Sequence, residues 1–418
     1  MVERTHQRVL AMIMAGGKGE RLMPLTEQRS KPSVPFAGTY RIVDFVLSNF
    51  LNSGILAMYV LVQYRSQSLI EHLRRAWRSG GPNRQTFITV VPPQMKGGGK
   101  WYEGTADAVY HNLNLIQDFA PNLVLVFGAD HIYRMDLRQM IQFHLDTHAE
   151  CTVAALPVPL KDAKGFGIIT ANREHVITGF DEKPRAPKPM PDNPKMAYSS
   201  MGNYIFNVDT LMKALEHDAK GTGSHDFGKD IIPSLISNHR VMAYNFLDNV
   251  VPGIHRYEEW GYWRDVGTME AYWQAHMDIL GETPTMDLRN VKWPIMTDTS
   301  GEPSASIIRS QIDDSMVGQG SFVVDANIRR SVIGRNVKIG EGADIEECVI
   351  LDGTKIGAKA RLRRVIADRF NLIPPGTELG FGQPPNPSLR SVIEKSGLIV
   401  LPRGHSYGGR AVPSIISS

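Results

Sequence analysis

The sequence predicts an α/β unit with a mostly parallel sheet, followed by a parallel β-helix. Two observations predict this order. Short apolar runs alternate with amphipathic segments from Val9 to about Leu280, and isoleucines recur at six-residue intervals beyond residue 330. The chain has 418 residues, which is long enough for about two or three domains that each bury a core.

The first part of the chain alternates predicted strands and helices. The apolar run "AMYVLVQY" (57–64) precedes "SLIEHLRRAW", and "NLVLVFGAD" (122–130) precedes "LRQMIQFHL". Such alternation is typical of a Rossmann-like sheet, in which helices connect parallel strands. Ligands bind at the carboxyl ends of these strands, so we expect Asp130 and a glycine-rich loop to lie at one edge of the sheet.

The glycine-rich loop follows the apolar run Val9–Met14 and reads "AGGKGERLMPLTEQRSKP" (15–32). Gly16, Gly17 and Gly19 allow the backbone to approach a ligand closely, and N–H groups with cations behind them suit a phosphate chain. The spacing fits neither the Walker loop nor the dinucleotide fingerprint. An ordinary turn with solvated charges is the alternative, and the glycines alone favour it.

The composition changes near residue 281. Residues 281–305 are rich in Pro, Thr and Ser without a sustained period, and they predict a linker between domains at 1–280 and 306–418. In the second domain isoleucines recur six residues apart, as at Ile333 and Ile339. Six-residue segments that cannot bury their apolar face alone are typical of a parallel β-helix. A glycine-rich β meander is the alternative.

Charge and cysteine content exclude several classes of protein. The formal net charge is only +3, so neither nucleic acid nor a membrane surface is an expected partner. Every apolar segment is shorter than the roughly 20 residues of a membrane span. Cys151 and Cys348 are far apart in sequence and predict neither a disulfide framework nor a metal site. We therefore expect a cytoplasmic protein.

Seven motifs together resemble those of the glucose-1-phosphate adenylyltransferases, within the sugar-phosphate nucleotidyltransferases. In chain order they are "AGGKGERLMPLTEQRSKP", "WYEGTADAVYHN", "GADHIYRMD", "DEKP", "SSMGNYIF", "HDFGKDIIP" and "YWRDVGTMEAYW". The resemblance covers nearly the full chain. It implies a nucleotidyltransferase catalytic domain, a left-handed β-helix for assembly and regulation, and a homotetramer. It also implies that ATP and α-D-glucose 1-phosphate give pyrophosphate and ADP-glucose, the donor for glycogen or starch-like glucan.

This reaction needs no protein nucleophile, because a sugar-phosphate oxygen attacks the α-phosphorus of ATP as pyrophosphate leaves. Catalysis then depends on positioning and electrostatics. The resemblance implies catalytic roles for Asp130, Arg21 and Lys31. Asp130 and Asp265 would hold Mg²⁺, which prefers carboxylate oxygens, although a helix cap and a turn are the ordinary alternatives. His131 is expected to be structural.

The resemblance also implies residues for both substrates. The predicted ATP contacts are Gly16, Gly17, Gly19, Gln63, Tyr102 and Gly104. The predicted glucose 1-phosphate contacts are Glu182, Lys183, Ser200, Tyr204, Asp226 and Trp263. Lys183 would bind the sugar phosphate and Glu182 a sugar hydroxyl. A surface ion pair is the alternative for these two, as is core packing for the aromatic residues.

Small-molecule effectors are expected, with Gln28, Arg29 and Arg41 as contacts. Enteric-type relatives have a lysine at the position of Gln28 that is associated with fructose 1,6-bisphosphate. Without that charge we expect weak activation by the bisphosphate, which favours a monophosphate or a carboxylate such as pyruvate. The alternative is that Gln28 is an exposed turn residue and effectors bind wholly between the domains. Gln94 and Trp101 flank a glycine-rich loop that we expect to be flexible.

Three other functions stay open at this point. One is a nucleotidyltransferase that uses UTP, dTTP, CTP or GTP, and another is a non-catalytic regulatory subunit, against which the retained charged residues argue. The third, a hexapeptide acyltransferase, needs a catalytic histidine, and none lies between Ser306 and His405. Two features depart from the family pattern: Ala129 replaces a glycine, and the ending "GGRAVPSIISS" is unusual.

Overall fold

A computed structural model of the chain describes residues 7–77, 86–94, 101–298, 301–382, 389–407 and 410–412. The strands of its α/β unit are β1 Val9–Met14, β2 Pro35–Phe36, β3 Tyr40–Arg41, β4 Ala57–Leu61, β5 Phe87–Val91, β6 Leu123–Gly128, β7 His131–Tyr133, β8 Cys151–Pro159, β9 Gly167–Ala171, β10 Ile177–Glu182, β11 Met196–Asn207, β12 Val241–Asn245 and β13 Trp263–Asp265. The helices are α1 Ile42–Asn52, α2 Gln67–Ala76, α3 Thr105–Tyr110, α4 Leu113–Phe119, α5 Leu137–Asp146, α6 Val208–Asp218, α7 Ile232–Ile236 and α8 Met269–Met277.

A nine-stranded mixed sheet forms the centre of this unit. Its order is β10-β9-β11-β6-β1-β4-β5, and β8 pairs with both β11 and β12. Strands β6, β1, β4 and β5 are mutually parallel, whereas β11 is antiparallel to β6. The interiors of β1 and β6 are fully buried, as their continuous apolar sequence requires when helices cover both faces. The predicted α/β class is confirmed.

Strand pairing brings distant loops to one edge of the sheet. Met14 at the end of β1 pairs with Gly128 at the end of β6, so the glycine-rich loop and Asp130 begin side by side. A second, two-stranded sheet places Asp265 opposite His131, because β13 pairs antiparallel with β7. Residues from three distant stretches of sequence therefore meet at the carboxyl ends of the parallel strands.

The segment after α8 packs against the α/β unit. Its described residues between 278 and 305 contain neither helix nor strand. Trp293 is only 2 % exposed, and its Nε1 donates to Asn49 Oδ1 at 3.2 Å. Thr297 Oγ1 donates to Asp44 Oδ2 at 2.7 Å. These bonds attach the segment to helix α1.

The C-terminal part of the chain, from residue 306 to 401, forms the predicted parallel β-helix, which is confirmed. Two of its three parallel sheets have the orders β14-β17-β20-β23-β26 and β15-β18-β21-β24-β27, and the third is β16-β19-β22-β25-β29 with β28 antiparallel at its edge. These strands are β14 Ser306–Ile308, β15 Gln311–Asp313, β16 Met316–Val317, β17 Phe322–Val324, β18 Asn327–Arg329, β19 Val332–Ile333, β20 Lys338–Ile339, β21 Asp344–Glu346, β22 Val349–Ile350, β23 Lys355–Ile356, β24 Arg361–Arg363, β25 Val365–Ala367, β26 Leu372–Ile373, β27 Glu378–Leu379, β28 Val392–Ile393 and β29 Ile399–Leu401. A separate pair, β30 His405–Tyr407 and β31 Arg410–Val412, follows.

The coil length explains the slip in the six-residue period. Val323 pairs with Ile339 and Ile339 pairs with Ile356, so these coils are 16 and 17 residues long. Three sides of six residues would need 18, so each coil omits one or two positions. The omitted positions lie at the corners between the sheets. The apolar side chains of successive coils therefore still stack inside the β-helix.

The β-helix packs directly on the α/β unit. Phe36 and Tyr272 from the first unit share one apolar cluster with Val349 from the second. Beside this cluster Arg29 forms a salt bridge with Asp368 at 2.7 Å, and both side chains are only 1 % exposed. A buried ion pair thus joins the two units.

Several predictions fall near or outside the described residues. Most of the loop at 94–100 lies outside them, as do residues 408–409 and 413–418 of the unusual ending. Trp101 is exposed, whereas Ala129 is fully buried. Both cysteines are free and buried. No helix in the described part of the chain is long and apolar enough to cross a membrane.

Candidate active site

A cleft of about 680 Å³ opens at the carboxyl ends of β1 and β6. Ten of the predicted site residues line it: Gly16, Gly17, Gly19, Arg21, Lys31, Gln63, Tyr102, Gly104, Asp130 and Asp226. The cleft therefore collects every predicted ATP contact and the three predicted catalytic residues.

The glycine-rich loop is shaped by Gly19. Its φ of +63° lies in the left-handed region, and a Cβ there would come within 3.1 Å of the Lys31 side chain. Thr26 Oγ1 donates to the Gly19 carbonyl at 2.8 Å and fixes the turn. The 3₁₀ turn Glu20–Leu22 follows and carries Arg21 toward the cleft. The backbone thus turns sharply enough to place both predicted cations at its wall.

Lys31 lies between the two predicted metal ligands. Its Nζ is 3.0 Å from Asp130 Oδ2 and 2.8 Å from Asp265 Oδ1, and its side chain is only 8 % exposed. Burial would lower the pKa of Lys31, but the two carboxylates outweigh it and raise the pKa above its ordinary value. Burial would likewise raise the pKa of Asp130, but Lys31 holds it well below its usual range. Lys31 and Asp130 are therefore both charged at neutral pH.

The same carboxylates suit a divalent cation. One ligand atom each from Asp130, His131 and Asp265 lies within 4.8 Å of the others. Mg²⁺ binds through one or two carboxylates together with substrate phosphate oxygens, and this donor set fits that pattern. Arg21 adds a cation nearby, with Nη2 at 3.8 Å from Asp265 Oδ2.

The loop at 102–105 forms the opposite wall of the cleft. Gln63 Nε2 donates to the Tyr102 carbonyl at 3.2 Å, which orients the amide beside this loop. A Cβ on Gly104 would lie 2.1 Å from the His225 carbonyl oxygen, so only glycine fits there. Thr105 Oγ1 donates to Asp226 Oδ2 at 2.9 Å. The loop that carries two predicted ATP contacts is therefore bound to the segment that carries a predicted sugar contact.

Asp226 has a structural task in addition to the predicted one. Its Oδ1 accepts from the N–H groups of Gly228 and Lys229, which caps the single π turn Phe227–Ile231. Its Oδ2 accepts from Thr105. Both carboxylate oxygens therefore have partners within the protein, and a sugar hydroxyl would use their remaining lone pairs.

The other predicted sugar contacts are not among the described residues that line the cleft. Tyr204 is buried, hydrogen bonds with Ser200, and stacks on Phe227 with ring centroids 5.5 Å apart. Burial raises the pKa of Tyr204, and the charges of Asp226 and Glu182 add to this effect. Tyr204 therefore stays neutral and can exchange hydrogen bonds but not charge.

Lys183 and Trp263 have different surroundings. Lys183 follows β10 with a φ of +50°, and its Nζ lies 3.2 Å from Glu182 Oε1 on an exposed surface. The buried ring of Trp263 is 4.8 Å from that of His131. Trp263 Nε1 and His131 Nδ1 are buried without a hydrogen-bond partner in the described structure.

Sequence reasoning missed two residues of this site. Thr105 and Gly267 line the cleft, although neither was predicted to have a role. Both lie inside quoted motifs, "WYEGTAD" and "WRDVGT", so the motifs located them but gave no reason to single them out. Their roles depend on contacts with Asp226 and with the carboxylate of Asp265.

The predicted effector residues lie outside the catalytic cleft. Arg41 lines a second cleft, of about 530 Å³, between the α/β unit and the β-helix. Arg29 Nη2 donates to both carboxylate oxygens of Asp368, whereas its Nε and Nη1 are buried without a hydrogen-bond partner in the described structure. Gln28 is exposed and is not among the described residues that line this cleft. Other cations line it, namely Arg75, Arg335, Lys338, Lys355 and Arg369.

Comparison with known proteins identifies the family. Residues 10–282 match the nucleotidyl transferase family, and residues 303–401 match the GlmU-like C-terminal hexapeptide family. A glucose-1-phosphate adenylyltransferase from Thermodesulfovibrio yellowstonii is 50 % identical over 401 residues, which cover 96 % of this chain and 97 % of the relative. The chain belongs to the glucose-1-phosphate adenylyltransferases.

Two further members of the family show similar coverage. The glucose-1-phosphate adenylyltransferase of Photobacterium profundum is 45 % identical over 406 residues, or 96 % of this chain and 99 % of the relative. Glucose-1-phosphate adenylyltransferase 1 of Vibrio parahaemolyticus is 46 % identical with the same coverage. The similarity therefore extends through both the catalytic cleft and the β-helix.

Proposed function

We propose that this chain transfers the adenylyl group of ATP to α-D-glucose 1-phosphate, giving ADP-glucose and pyrophosphate for glycogen synthesis. The cluster of Lys31, Asp130 and Asp265 beside the glycine-rich loop carries the proposal, in a chain that is 50 % identical to a glucose-1-phosphate adenylyltransferase. Displacement at a phosphorus atom needs cations for the leaving pyrophosphate and carboxylates for a metal ion. This cleft supplies both.

Binding of ATP is assigned to the wall that the glycine-rich loop forms. The N–H groups of Gly16, Gly17 and Gly19 and the charges of Arg21 and Lys31 hold the triphosphate. On the opposite wall the adenine contacts are Gln63, Tyr102 and Gly104. Arg21 and Lys31 both line the cleft, so their charges lie within reach of the leaving pyrophosphate.

Asp130 and Asp265 are assigned to the metal ion, with His131 beside them. When bound, Mg²⁺ supplies positive charge to the phosphate oxygens on which negative charge develops. The protein's own contribution is to hold the two carboxylates near each other, because the pairing of β13 with β7 places Asp265 opposite His131, the neighbour of Asp130.

Glucose 1-phosphate is assigned to the side of the cleft beyond Asp226. Lys183 binds its phosphate and Glu182 a sugar hydroxyl, while Ser200, Tyr204, Asp226 and Trp263 surround the ring. The attacking phosphate oxygen is already deprotonated near neutral pH, so no general base is required. The bond between Thr105 and Asp226 holds the two substrate sides in a fixed relation.

A nucleotide panel tests this function directly. Pyrophosphate release is measured with glucose 1-phosphate and each of ATP, UTP, dTTP, CTP and GTP in the presence of Mg²⁺. We expect ATP to give a kcat/KM at least about tenfold above the others, since a base-reading site discriminates by about 1.4 kcal/mol or more. Preference for another nucleotide would make the chain a different sugar nucleotidyltransferase. Substrate binding without turnover would make it a regulatory subunit.

The proposal includes regulation by a small anion in the cleft between the two units. Burial lowers the pKa of Arg41 to about 9, and the positive charges of Arg369 and Arg29 act in the same direction. The carboxylates of Asp352 and Asp44 oppose this shift without cancelling it, so the charge of Arg41 is incompletely compensated by the protein alone. A monophosphate such as fructose 6-phosphate, or a carboxylate such as pyruvate, would supply the missing negative charge.

The wider organisation of the protein completes the proposal. Residues 1–280 form the catalytic domain, 281–305 the linker, and 306–418 the assembly and regulatory domain of a cytoplasmic homotetramer. Apolar side chains on the first β-helix coils, such as Ile307 and Phe322, are exposed in the single chain. Subunit contacts would bury them in an assembly. The molar mass in solution, measured by light scattering after size-exclusion chromatography, tests the tetramer against a chain mass of 46.5 kDa.

A further inference from the structure

Lys31 occupies the position between the carboxylates where a bound metal ion would need to approach. Its ammonium contacts Asp130 Oδ2 at 3.0 Å and Asp265 Oδ1 at 2.8 Å. Both distances are those of charge-assisted hydrogen bonds. The side chain reaches the carboxylates from the 3₁₀ turn Lys31–Ser33, and it is almost fully buried. The contact is therefore specific and not a solvated surface pair.

The charges of this cluster cancel. Asp130 and Asp265 contribute two negative charges, Lys31 contributes one positive charge, and Arg21 contributes another at 3.8 Å from Asp265. A divalent cation at the carboxylates would then face an ammonium only a few ångströms away. Like charges at that distance repel strongly in a partly buried site. The free cleft consequently offers a divalent cation little net attraction.

We infer that Lys31 acts as an internal counterion that keeps the metal site closed until a nucleotide arrives. This inference rests on the proposed function, in which Lys31 binds the ATP triphosphate. The triphosphate draws the ammonium away from Asp130 and Asp265, and the carboxylates become available as metal ligands. Metal affinity is therefore created by nucleotide binding.

The chemistry of lysine permits this exchange. Its ammonium is a compact charge on a flexible four-carbon stem, so it can change partners without backbone movement. The glycine-rich loop and Lys31 line the same cleft, which puts the triphosphate within reach of the side chain. A triphosphate carries more negative charge than the two carboxylates together, so the exchange is electrostatically favourable.

Manganese binding to the full-length protein tests the inference without any turnover. Free Mn²⁺ is titrated by electron paramagnetic resonance in the absence of nucleotide, for the wild type and for Lys31→Met. We expect the variant to bind Mn²⁺ at least about tenfold more tightly, because the competing charge is gone. Lys31→Gln repeats the test should the methionine variant fail to fold, as judged by its melting temperature.

Lys18→Met is the matched control. Lys18 lines the same cleft and carries the same charge, but it is 68 % exposed and pairs with Glu20 at 3.8 Å instead of with the metal ligands. Its removal should change Mn²⁺ affinity less than about twofold, since solvent screens exposed charges. Equal gains in the Lys18 and Lys31 variants would mean a diffuse effect of net charge and would overturn the inference.

The nucleotide provides the second arm. With α,β-methylene-ATP, which cannot transfer its adenylyl group, the wild type should gain Mn²⁺ affinity by at least about tenfold more than Lys31→Met gains. No affinity gain on removal of Lys31, or equal gains from the analogue in both proteins, would refute the inference. If instead the nucleotide panel fails while Mn²⁺ binding responds as expected, only the proposed reaction is wrong.

Discussion

The two clefts of this molecule handle buried positive charge in opposite ways. In the catalytic cleft Lys31 and Arg21 face the carboxylates of Asp130 and Asp265. In the cleft between the units, Arg41 donates to the Ser33 carbonyl oxygen and to Ser68 Oγ, neither of which carries a charge. In the first cleft the buried cation is paired with carboxylates. In the second, the described structure gives the Arg41 side chain only neutral hydrogen-bond acceptors, although Asp298, Glu302 and Asp352 also line that cleft.

This difference separates two uses of a cation. A paired cation stabilises the empty site and becomes available to a substrate only when that substrate competes for it. An unpaired cation is costly to bury, so any anion that reaches it stabilises the whole protein. The first arrangement suits catalysis, in which binding energy should be used in the transition state. The second suits an effector site, in which ligand binding changes the stability of an interface.

The largest effect should come from removing the charge of Asp130, one of the two carboxylates that pair with Lys31 in the catalytic cleft. Asp130→Asn removes the negative charge and keeps the shape, so kcat for pyrophosphate release should fall about 10³-fold, or by roughly 4 kcal/mol in transition-state stabilisation. The melting temperature serves as the control for folding. A folded variant with more than about a tenth of wild-type turnover would remove Asp130 from the metal site.

The next largest effect should come from the ion pair between the units. Asp368→Asn leaves the guanidinium of Arg29 buried among other cations, and breaking a pair of this kind costs on the order of 3 kcal/mol. Chemical denaturation and melting temperature both measure the loss. The control is Asp325→Asn, which breaks the exposed pair with Arg309 and should leave the melting temperature nearly unchanged. Equal losses in the two variants would show that burial does not set the cost.

The sequence predicted the catalytic cleft better than the cleft between the units. The reason is that the two clefts depend on contacts of different range along the chain. The glycine-rich loop and Asp130 each follow a strand directly, so short local motifs sufficed to bring them to one edge. Asp368 lies 339 residues after Arg29, and their pairing depends on how the β-helix packs on the first unit. A local motif contains no information about such packing. The ion pair between Arg29 and Asp368 therefore could not be predicted from the sequence around Arg29.

The tertiary contacts of individual side chains also could not be predicted from the sequence. Trp263 was predicted to face a sugar, and core packing was an open alternative. The structure gives it features of both, because its ring is buried against His131 while its Nε1 has no partner in the described structure. Thr105 was not predicted because its role depends on Asp226, more than a hundred residues later. Both cases depend on tertiary contacts that residue type alone does not determine.

Substitution of Lys183 tests whether the two substrates bind to different cations. Lys183→Ala should raise the KM for glucose 1-phosphate about tenfold or more, the effect of losing a charge-assisted hydrogen bond, and should change the KM for ATP less than about threefold. Lys188→Ala is the control, because Lys188 is exposed five positions later. An increase confined to the KM for ATP would exchange the assigned roles of Lys183 and the glycine-rich loop.

The smallest effect should appear in the cleft between the units. If Arg41 is poorly compensated, then fructose 6-phosphate at about ten times its dissociation constant should stabilise the wild type by roughly 1.4 kcal/mol, seen as a higher melting temperature. Arg41→Gln removes the buried charge and should lose most of that gain. Fructose 6-phosphate can also bind in the catalytic cleft. The stabilisation of the wild type minus that of Arg41→Gln therefore measures binding in the cleft between the units.

Gln28→Lys supplies the comparison that decides where the effector binds. Gln28 is exposed and is not among the described residues that line the cleft between the units, so a new charge there should change the stabilisation little. A loss in Arg41→Gln with no change in Gln28→Lys supports an effector site wholly between the units. If Gln28→Lys instead strengthens binding of fructose 1,6-bisphosphate and Arg41→Gln behaves as the wild type, the effector contacts the surface turn. In that case the unpaired guanidinium of Arg41 is simply a cost of packing the β-helix against the sheet.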